Sequence, residues 1–290
     1  MRFLRIVTVY NEADIIRRNL EWYIDQGMEI VVLDEGSTDA TYAICQEYLG
    51  CGIVRLEQRP VAENDPQRAL ATLWEICDGL DADVVIKADA DEFFEAPDPG
   101  VGLAEGLAAE FAQGYNLIRF HNVEFWMTER DAPLESDPLR RIRHYSYFSS
   151  HLYRACVFHP GINYWEKLGH APIFPPGMVP RCSPKVFISR HYKFRSLEQG
   201  YAKIDRIRPP TGKPTQSIHY LKYRKSPEWF IIPREYLTEY HEDRRWNLTR
   251  TYDGGRLNRR ELIDYLGLES EDALDRWFAS RTFNPGEVPA

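Results

Sequence analysis

The sequence predicts an α/β fold: a mostly parallel sheet with helices on both faces, followed by a C-terminal helical extension. Three observations carry that prediction. The first hundred residues alternate short apolar strands with segments of helical spacing. The strands are apolar almost throughout, not only at alternate positions, as expected of a parallel sheet covered on both faces. Three of the four strands run into polar clusters: Tyr10-Asn11-Glu12, Asp34-Glu35-Gly36-Ser37 and Asp89-Ala90-Asp91-Glu92. In a parallel sheet such ends share one edge, and ligands bind in the crevice outside it.

Phe3 to Tyr10 is β-branched and apolar, a buried strand. Asn11 is placed to cap the next helix, where Ile15, Ile16, Leu20, Tyr23 and Ile24 recur at helical spacing until Gly27. Glu29 to Leu33 is the second strand. It leads through a turn at 34–39 into a helix from about Ala40 to Leu49, stopped by Gly50 and Gly52. Ile53 to Leu56 is the third strand. A helix from about Pro66 to Gly79 follows, with Pro66 in its first turn. Asp83 to Ala88 is the fourth strand.

Beyond residue 96 the pattern changes. A helix is predicted over 101–113 and a strand over 115–126. Residues 141–192, aromatic, basic and punctuated by proline, read as strands and ordered loops. Helices are predicted again near 196–207, 227–242, 259–266 and 270–279. The domain reading is 1–225, with halves 1–96 and 97–225, and a helical extension over 226–290.

Among 290 residues, 43% are hydrophobic, enough for a sizeable core and unlike a disordered chain. No apolar run nears the roughly 18 residues of a spanning helix. No signal peptide precedes the first strand, and the five cysteines are dispersed without a C-x-x-C pair. The expectation is a soluble, cytoplasmic protein with reduced thiols.

The net charge of −8 hides a division. Residues 1–139 hold 10 Lys/Arg and 28 Asp/Glu, a net −18; residues 140–225 hold 17 and 3, a net +14; residues 226–290 hold 9 and 13, a net −4. A +14 stretch interleaved with aromatics suits an anionic partner: nucleotide phosphates, an anionic acceptor, nucleic acid or a membrane surface. No nucleic-acid recognition motif accompanies it.

Asp89 and Asp91, one residue apart at a strand end, are placed to share a divalent ion such as Mg2+ or Mn2+ bridging a diphosphate. Asp34 and Glu35 end the second strand, where a carboxylate can accept from a base N–H or a ribose hydroxyl.

Val9-Tyr-Asn-Glu12, Leu33-Asp-Glu-Gly-Ser-Thr-Asp-Ala-Thr41 and Asp89-Ala-Asp-Glu-Phe93 together resemble glycosyltransferase family 2. Asp65-Pro-Gln-Arg-Ala69 and the D-x-D-E-F run resemble a bacterial branch of that family. The resemblance implies the Rossmann-like GT-A fold and an inverting, metal-dependent transfer from a nucleoside-diphosphate sugar, UDP-linked, to a hydroxyl of a glycan, lipid-linked or small-molecule acceptor. It also implies a setting in bacterial surface glycan synthesis, peripheral to the membrane's inner face.

Position by position, the resemblance implies that Thr8 and Tyr10 line the base pocket and Glu12 lies near the ribose or base. Glu35 stands where the family has the aspartate that meets uracil. Arg68 reaches base or phosphates, Asp89 meets ribose or metal, and Asp91 holds the metal. His191 completes the metal shell, with His219 as its rival. Arg195 and Lys203 contact the diphosphate. The family's E-D pair that supplies the base is absent between 93 and 240. Glu166 is the residue chosen for the base, with Asp131, Asp137 and His170 as rivals. Trp126, Tyr153, Tyr164 and Trp165 are candidates for a sugar platform, or for core packing.

Three other classes compete. A sugar-phosphate nucleotidyltransferase would carry a Gly-rich phosphate loop where this chain has Asn11-Glu-Ala-Asp14. An acidic-pocket phosphoacceptor protein would need an aspartate after the third strand. A non-catalytic nucleotide- or glycan-binding module fits the missing E-D pair.

Overall fold

The structure, a computed structural model, describes residues 1–59, 72–73, 75–76, 79–131, 137–148, 154–157, 179, 181–207, 229–242, 246–248, 263–264 and 267–279. The chain forms two compact units, residues 1–123 with 148–191, and residues 124–147 with 192–290.

The first unit opens with three strands, β1 (Phe3–Val9), β2 (Glu29–Asp34) and β3 (Ile53–Gln58), joined by helices α1 (Ile16–Asp25) and α2 (Thr41–Glu47). β4 (Val84–Lys87) completes a four-stranded sheet of order β3-β2-β1-β4, parallel throughout. The chain thus lays strands to one side of β1 and then returns to its other side. That reversal is the switch point at which open α/β sheets bind ligands.

Alternation along β1 explains why both faces are covered. Phe3, Val7 and Val9 join a core with Ile16, Leu20 and Tyr23 of α1 and Cys45 of α2. Leu4 and Ile6 join a second core with Val31, Leu33 and Leu73 on the opposite face. Burial pushes the Cys45 thiol up to about 12, in keeping with a reduced core filler.

β5 (Glu92–Glu95) starts a second sheet. It pairs antiparallel with β9 (Cys182–His191), which neighbours β6 (Leu117–Trp126), while β8 (Arg154–Val157) pairs with β6. Helix α3 (Leu103–Ala112) buries Leu103, Leu107 and Phe111 in the larger core.

The second unit holds the end of β6, α4 (Pro138–Arg141), all but the last residue of β7 (His144–Phe148), α5 (Leu197–Ile207), β10 (Thr238–Glu239) and α6 (Glu271–Ala279). Its core is aromatic. Phe125 stacks on Tyr192 with centroids 4.5 Å apart, and Phe194 meets Phe230 edge-on at 4.7 Å.

Two sequence readings are corrected. Asn11 does not cap α1, which starts at Ile16 after an Ile15 cap without a side-chain bond. The helix expected over 227–242 is absent from its described part, 229–242. That stretch holds a bridge at Ile231, a 3-10 turn at Arg234–Tyr236 and strand β10. Pro233 has no N–H to continue a helix. On either side of it the chain pairs instead: the Ile232 amide donates to the Met127 carbonyl at 2.8 Å, and Thr238 pairs with Tyr145.

Candidate active site

The carboxyl edge of the parallel sheet gathers the three polar clusters. Register places Val9 beside Asp34, and Ile6 beside Lys87. The loops after β1 and β2 are laced together. Asn11 adopts φ 53, a left-handed conformation that asparagine tolerates, and its Oδ1 accepts from the Thr38 amide at 2.8 Å. Its own amide donates to Ser37 Oγ at 3.0 Å. The Glu12 amide donates to Thr41 Oγ1 at 2.8 Å, and that of Ala13 to Asp39 Oδ2 at 3.2 Å. The Glu12 carbonyl accepts the first amides of the α1 turn, from Ile15 and Ile16.

Asp34 is fully buried. Its Oδ1 accepts from the Gly36 and Ser37 amides at 3.0 and 2.9 Å and from Gln58 Nε2 at 3.0 Å. Gly36, at φ 81, makes the turn that brings those amides round. Asp34 therefore shapes the loop, while Glu35 beside it is partly exposed. Thr8 and Tyr10 are also partly exposed, and Glu12 is buried.

The turn after β4 is held from below. Arg5, fully buried in β1, donates from Nη2 to the carbonyls of Ala88 and Asp89 at 3.0 and 3.1 Å. Burial pushes its guanidinium down, opposed by the nearby Tyr23, Asp89 and Glu92. Asn19 Nδ2 and the Tyr23 hydroxyl donate to the Glu92 carbonyl at 2.9 and 3.2 Å. Sequence reasoning missed Arg5, Asn19 and Tyr23. The signal available was an arginine at a strand position sharing the parity of Phe3, Val7 and Val9.

Asp91 and His191 meet. Glu92 pairs with His191 at the junction of β5 and β9, which sets Asp91 Oδ1 3.6 Å from His191 Nε2, with side-chain exposures of 6% and 12%. A carboxylate and an imidazole so placed, a hundred residues apart in sequence, fit two positions of one divalent ion's shell. Asp89 is placed differently: its Oδ1 lies 2.5 Å from Lys87 Nζ. Among the described residues no group of three or more His, Cys, Asp or Glu could by itself hold an ion. Asp91 and His191 would offer a divalent ion such as Mg2+ or Mn2+ two protein ligands.

Residues 6–118 match the family model for Glycosyl transferase family 2. The matched segment spans about two fifths of the chain and includes all three clusters. Among solved structures, S. aureus TarS 1–349 in complex with UDP is 19% identical, with a TM-score of 0.32 over 44% of this chain and 36% of that one. The same fragment with UDP-GlcNAc is 21% identical, TM-score 0.30, over 44% and 34%. A197 from STIV is 13% identical, TM-score 0.33, over 68% and 88%. The chain thus spans about a third of the TarS fragments it resembles. No curated protein sequence matches it significantly.

The other expected site residues fall in the second unit or outside the described residues. Arg195 is almost wholly buried, and its Nη1 donates to the Tyr192 carbonyl at 3.1 Å. Lys203 Nζ lies 3.4 Å from the Lys193 carbonyl. Trp126 is packed in the core, its Nε1 donating to Ser146 Oγ at 3.0 Å. Asp137 caps α4 by accepting from the Leu139 amide at 3.0 Å. Asp131 accepts from the Thr128 hydroxyl and amide at 2.7 and 3.0 Å. Arg68, Tyr153, Tyr164, Trp165, Glu166, His170 and His219 lie outside the described residues. Among the described residues no helix is long and apolar enough to cross a membrane.

Proposed function

We propose that the chain is an inverting glycosyltransferase that moves a sugar from a nucleoside diphosphate, UDP in the first instance, to a hydroxyl acceptor with the help of Mg2+ or Mn2+. The observation that carries this reading is the meeting of Asp91 and His191 at the rim where β1 and β2 also deliver their polar loops. The family-2 match over 6–118 supports the same chemistry.

In this reading Tyr10, Glu12 and Glu35 face the base and ribose, and Asp91 and His191 hold the ion. When bound, the ion neutralises charge that grows on the departing diphosphate. The acceptor oxygen attacks the anomeric carbon from the face opposite the diphosphate. The carbon–phosphate oxygen bond breaks, and the hydroxyl proton passes to a carboxylate. Glu166 is proposed as that carboxylate. An anionic or lipid-linked acceptor suits the +14 segment, and the work is done on the cytoplasmic side.

The test combines binding with turnover. Thermal shift against a panel of nucleoside diphosphates, with and without Mn2+, should show stabilisation by UDP that requires the ion. Asp91→Asn should keep its melting temperature without ligand, lose the Mn2+-dependent shift and lower kcat by about a hundredfold or more, as expected when a main electrostatic stabiliser is removed. Asp91→Asn turning over at the wild-type rate would sink the reading. Binding of UDP with Mn2+ without transfer to any acceptor would favour a nucleotide-binding module.

A further inference from the structure

We infer that Arg5 is a positioning residue that clamps the Ala88–Glu92 turn from beneath and so aims Asp91. Arg5 lies on the same face of β1 as Phe3, Val7 and Val9, inside the core shared with α1, and is fully buried. An aliphatic side chain would suit that place better, because a buried guanidinium loses its hydration.

What the guanidinium touches is specific. Its Nη2 donates to the carbonyls of Ala88 and Asp89, and its Cζ lies over the Tyr23 ring, 4.5 Å from the centroid. Among the described residues, Nε and Nη1 are buried without a hydrogen-bond partner and the charge completes no buried ion pair. Its hydrogen bonds go to the backbone of one turn, the turn that carries Asp89 and Asp91.

Neighbours finish the grip. Asn19 and Tyr23 hold the Glu92 carbonyl, and the Phe94 amide donates to the Tyr23 hydroxyl at 3.1 Å. Within the turn, the Asp89 amide donates to Glu92 Oε2 at 3.0 Å and the Glu92 amide to the Asp89 carbonyl at 3.1 Å. Two peptide planes before Asp91 and the one after Glu92 are thereby fixed from β1 and α1. Asp91 sits between them with its carboxylate turned toward His191. A short acidic turn unanchored at either end would sample many directions, and ligand geometry tolerates errors of only about 0.5 Å.

The consequence for catalysis rests on the glycosyltransferase reading, whereas the clamp does not. The experiment therefore has two readouts on the full chain. Amide hydrogen exchange is compared between the 88–92 segment and the 29–34 strand in wild type, Arg5→Met, Arg5→Lys and Tyr23→Phe. Mn2+ affinity is measured by electron paramagnetic resonance on the same proteins.

Arg5→Met should raise exchange in 88–92 at least tenfold relative to 29–34 and weaken Mn2+ binding at least fivefold. Arg5→Lys, which keeps one donor, should recover part of both losses. Tyr23→Phe should show a smaller rise that also takes in the Phe94 amide, whose acceptor it removes. If Arg5→Met does not fold, the exchange ratio in Arg5→Lys decides. Equal exchange in both segments, or no change at 88–92, would overturn the inference. If the wild type binds neither Mn2+ nor UDP, the glycosyltransferase reading fails while the exchange ratio still judges the clamp.

Discussion

Asp131 shows how one carboxyl can set a pH dependence. Burial pushes it from an ordinary value of 3.8 up to about 6, against hydrogen bonds from the Thr128 amide and hydroxyl and the charge of Arg141, which pull it down. The folded chain holds this proton to higher pH than the unfolded chain does. Its contribution to stability is therefore complete below about pH 4 and is lost as pH rises through about 6. Asp131→Asn keeps both contacts, with its oxygen facing the amide and its NH2 facing the hydroxyl, and removes the titration. Denaturant unfolding at pH 4, 5, 6 and 7 should show the variant gaining on the wild type as pH rises, by no more than about 3 kcal/mol. A wild-type advantage that grows with pH would contradict the assignment.

At the same scale, which residues were legible depended on whether their partners were near in sequence. Asp89, Asp91 and Glu35 announced themselves by following apolar strands, and His191 by a family resemblance. Local sequence offers Asn11 the role of a helix cap, but its partners Ser37 and Thr38 come from another loop. Arg5 was harder to see: its parity with Phe3, Val7 and Val9 marks it as buried, but its partners, the Ala88 and Asp89 carbonyls, lie more than eighty residues away.

At the scale of elements, the parallel sheet was legible because near-continuous apolar runs leave few alternatives. The stretch at 229–242 was not, since Phe230, Ile231, Leu237 and Tyr240 recur at spacings that fit a helix as well as pairing with separate strands. How tightly elements approach was also hidden. Gly106 lies in α3, and a Cβ there would stand 2.8 Å from the Ala96 Cβ and 3.3 Å from the Phe187 ring. A Cβ cannot swing away, so the helix itself must move. Gly106→Ala gains about 1 kcal/mol in helix propensity, but overpacking costs typically 1–3 kcal/mol. Chemical denaturation should therefore show a net loss of about 1 kcal/mol. Gly50→Ala meets nothing within 4 Å and isolates the cost of a left-handed φ of 79. A more stable Gly106→Ala would mean that α3 has room to shift.

Across the whole molecule the charges are unevenly shared. The first unit, which holds the rim with Asp91 and His191, carries 14 Lys/Arg and 24 Asp/Glu, a net −10, whereas the second carries 22 and 20, a net +2. A nucleoside diphosphate approaching that rim meets a repulsive field unless a divalent ion comes with it. Salt should then act more strongly on the metal-free nucleotide than on its Mn2+ complex. The screening length is about 8 Å at 0.15 M and about 30 Å at 0.01 M, so dilution lets the whole unit's charge be felt. Without Mn2+, UDP should bind at least about tenfold more weakly than with it, a cost of about 1.4 kcal/mol, and should weaken further as salt is lowered. Uridine, which is uncharged, should respond to neither. Calorimetric titrations of UDP and uridine at the two ionic strengths, with Mn2+ or with chelator, separate the contributions. If metal-free UDP bound more tightly in low salt, nearby cations such as Lys87 would outweigh the unit's net charge, and the ion would no longer be needed to bring the phosphates in.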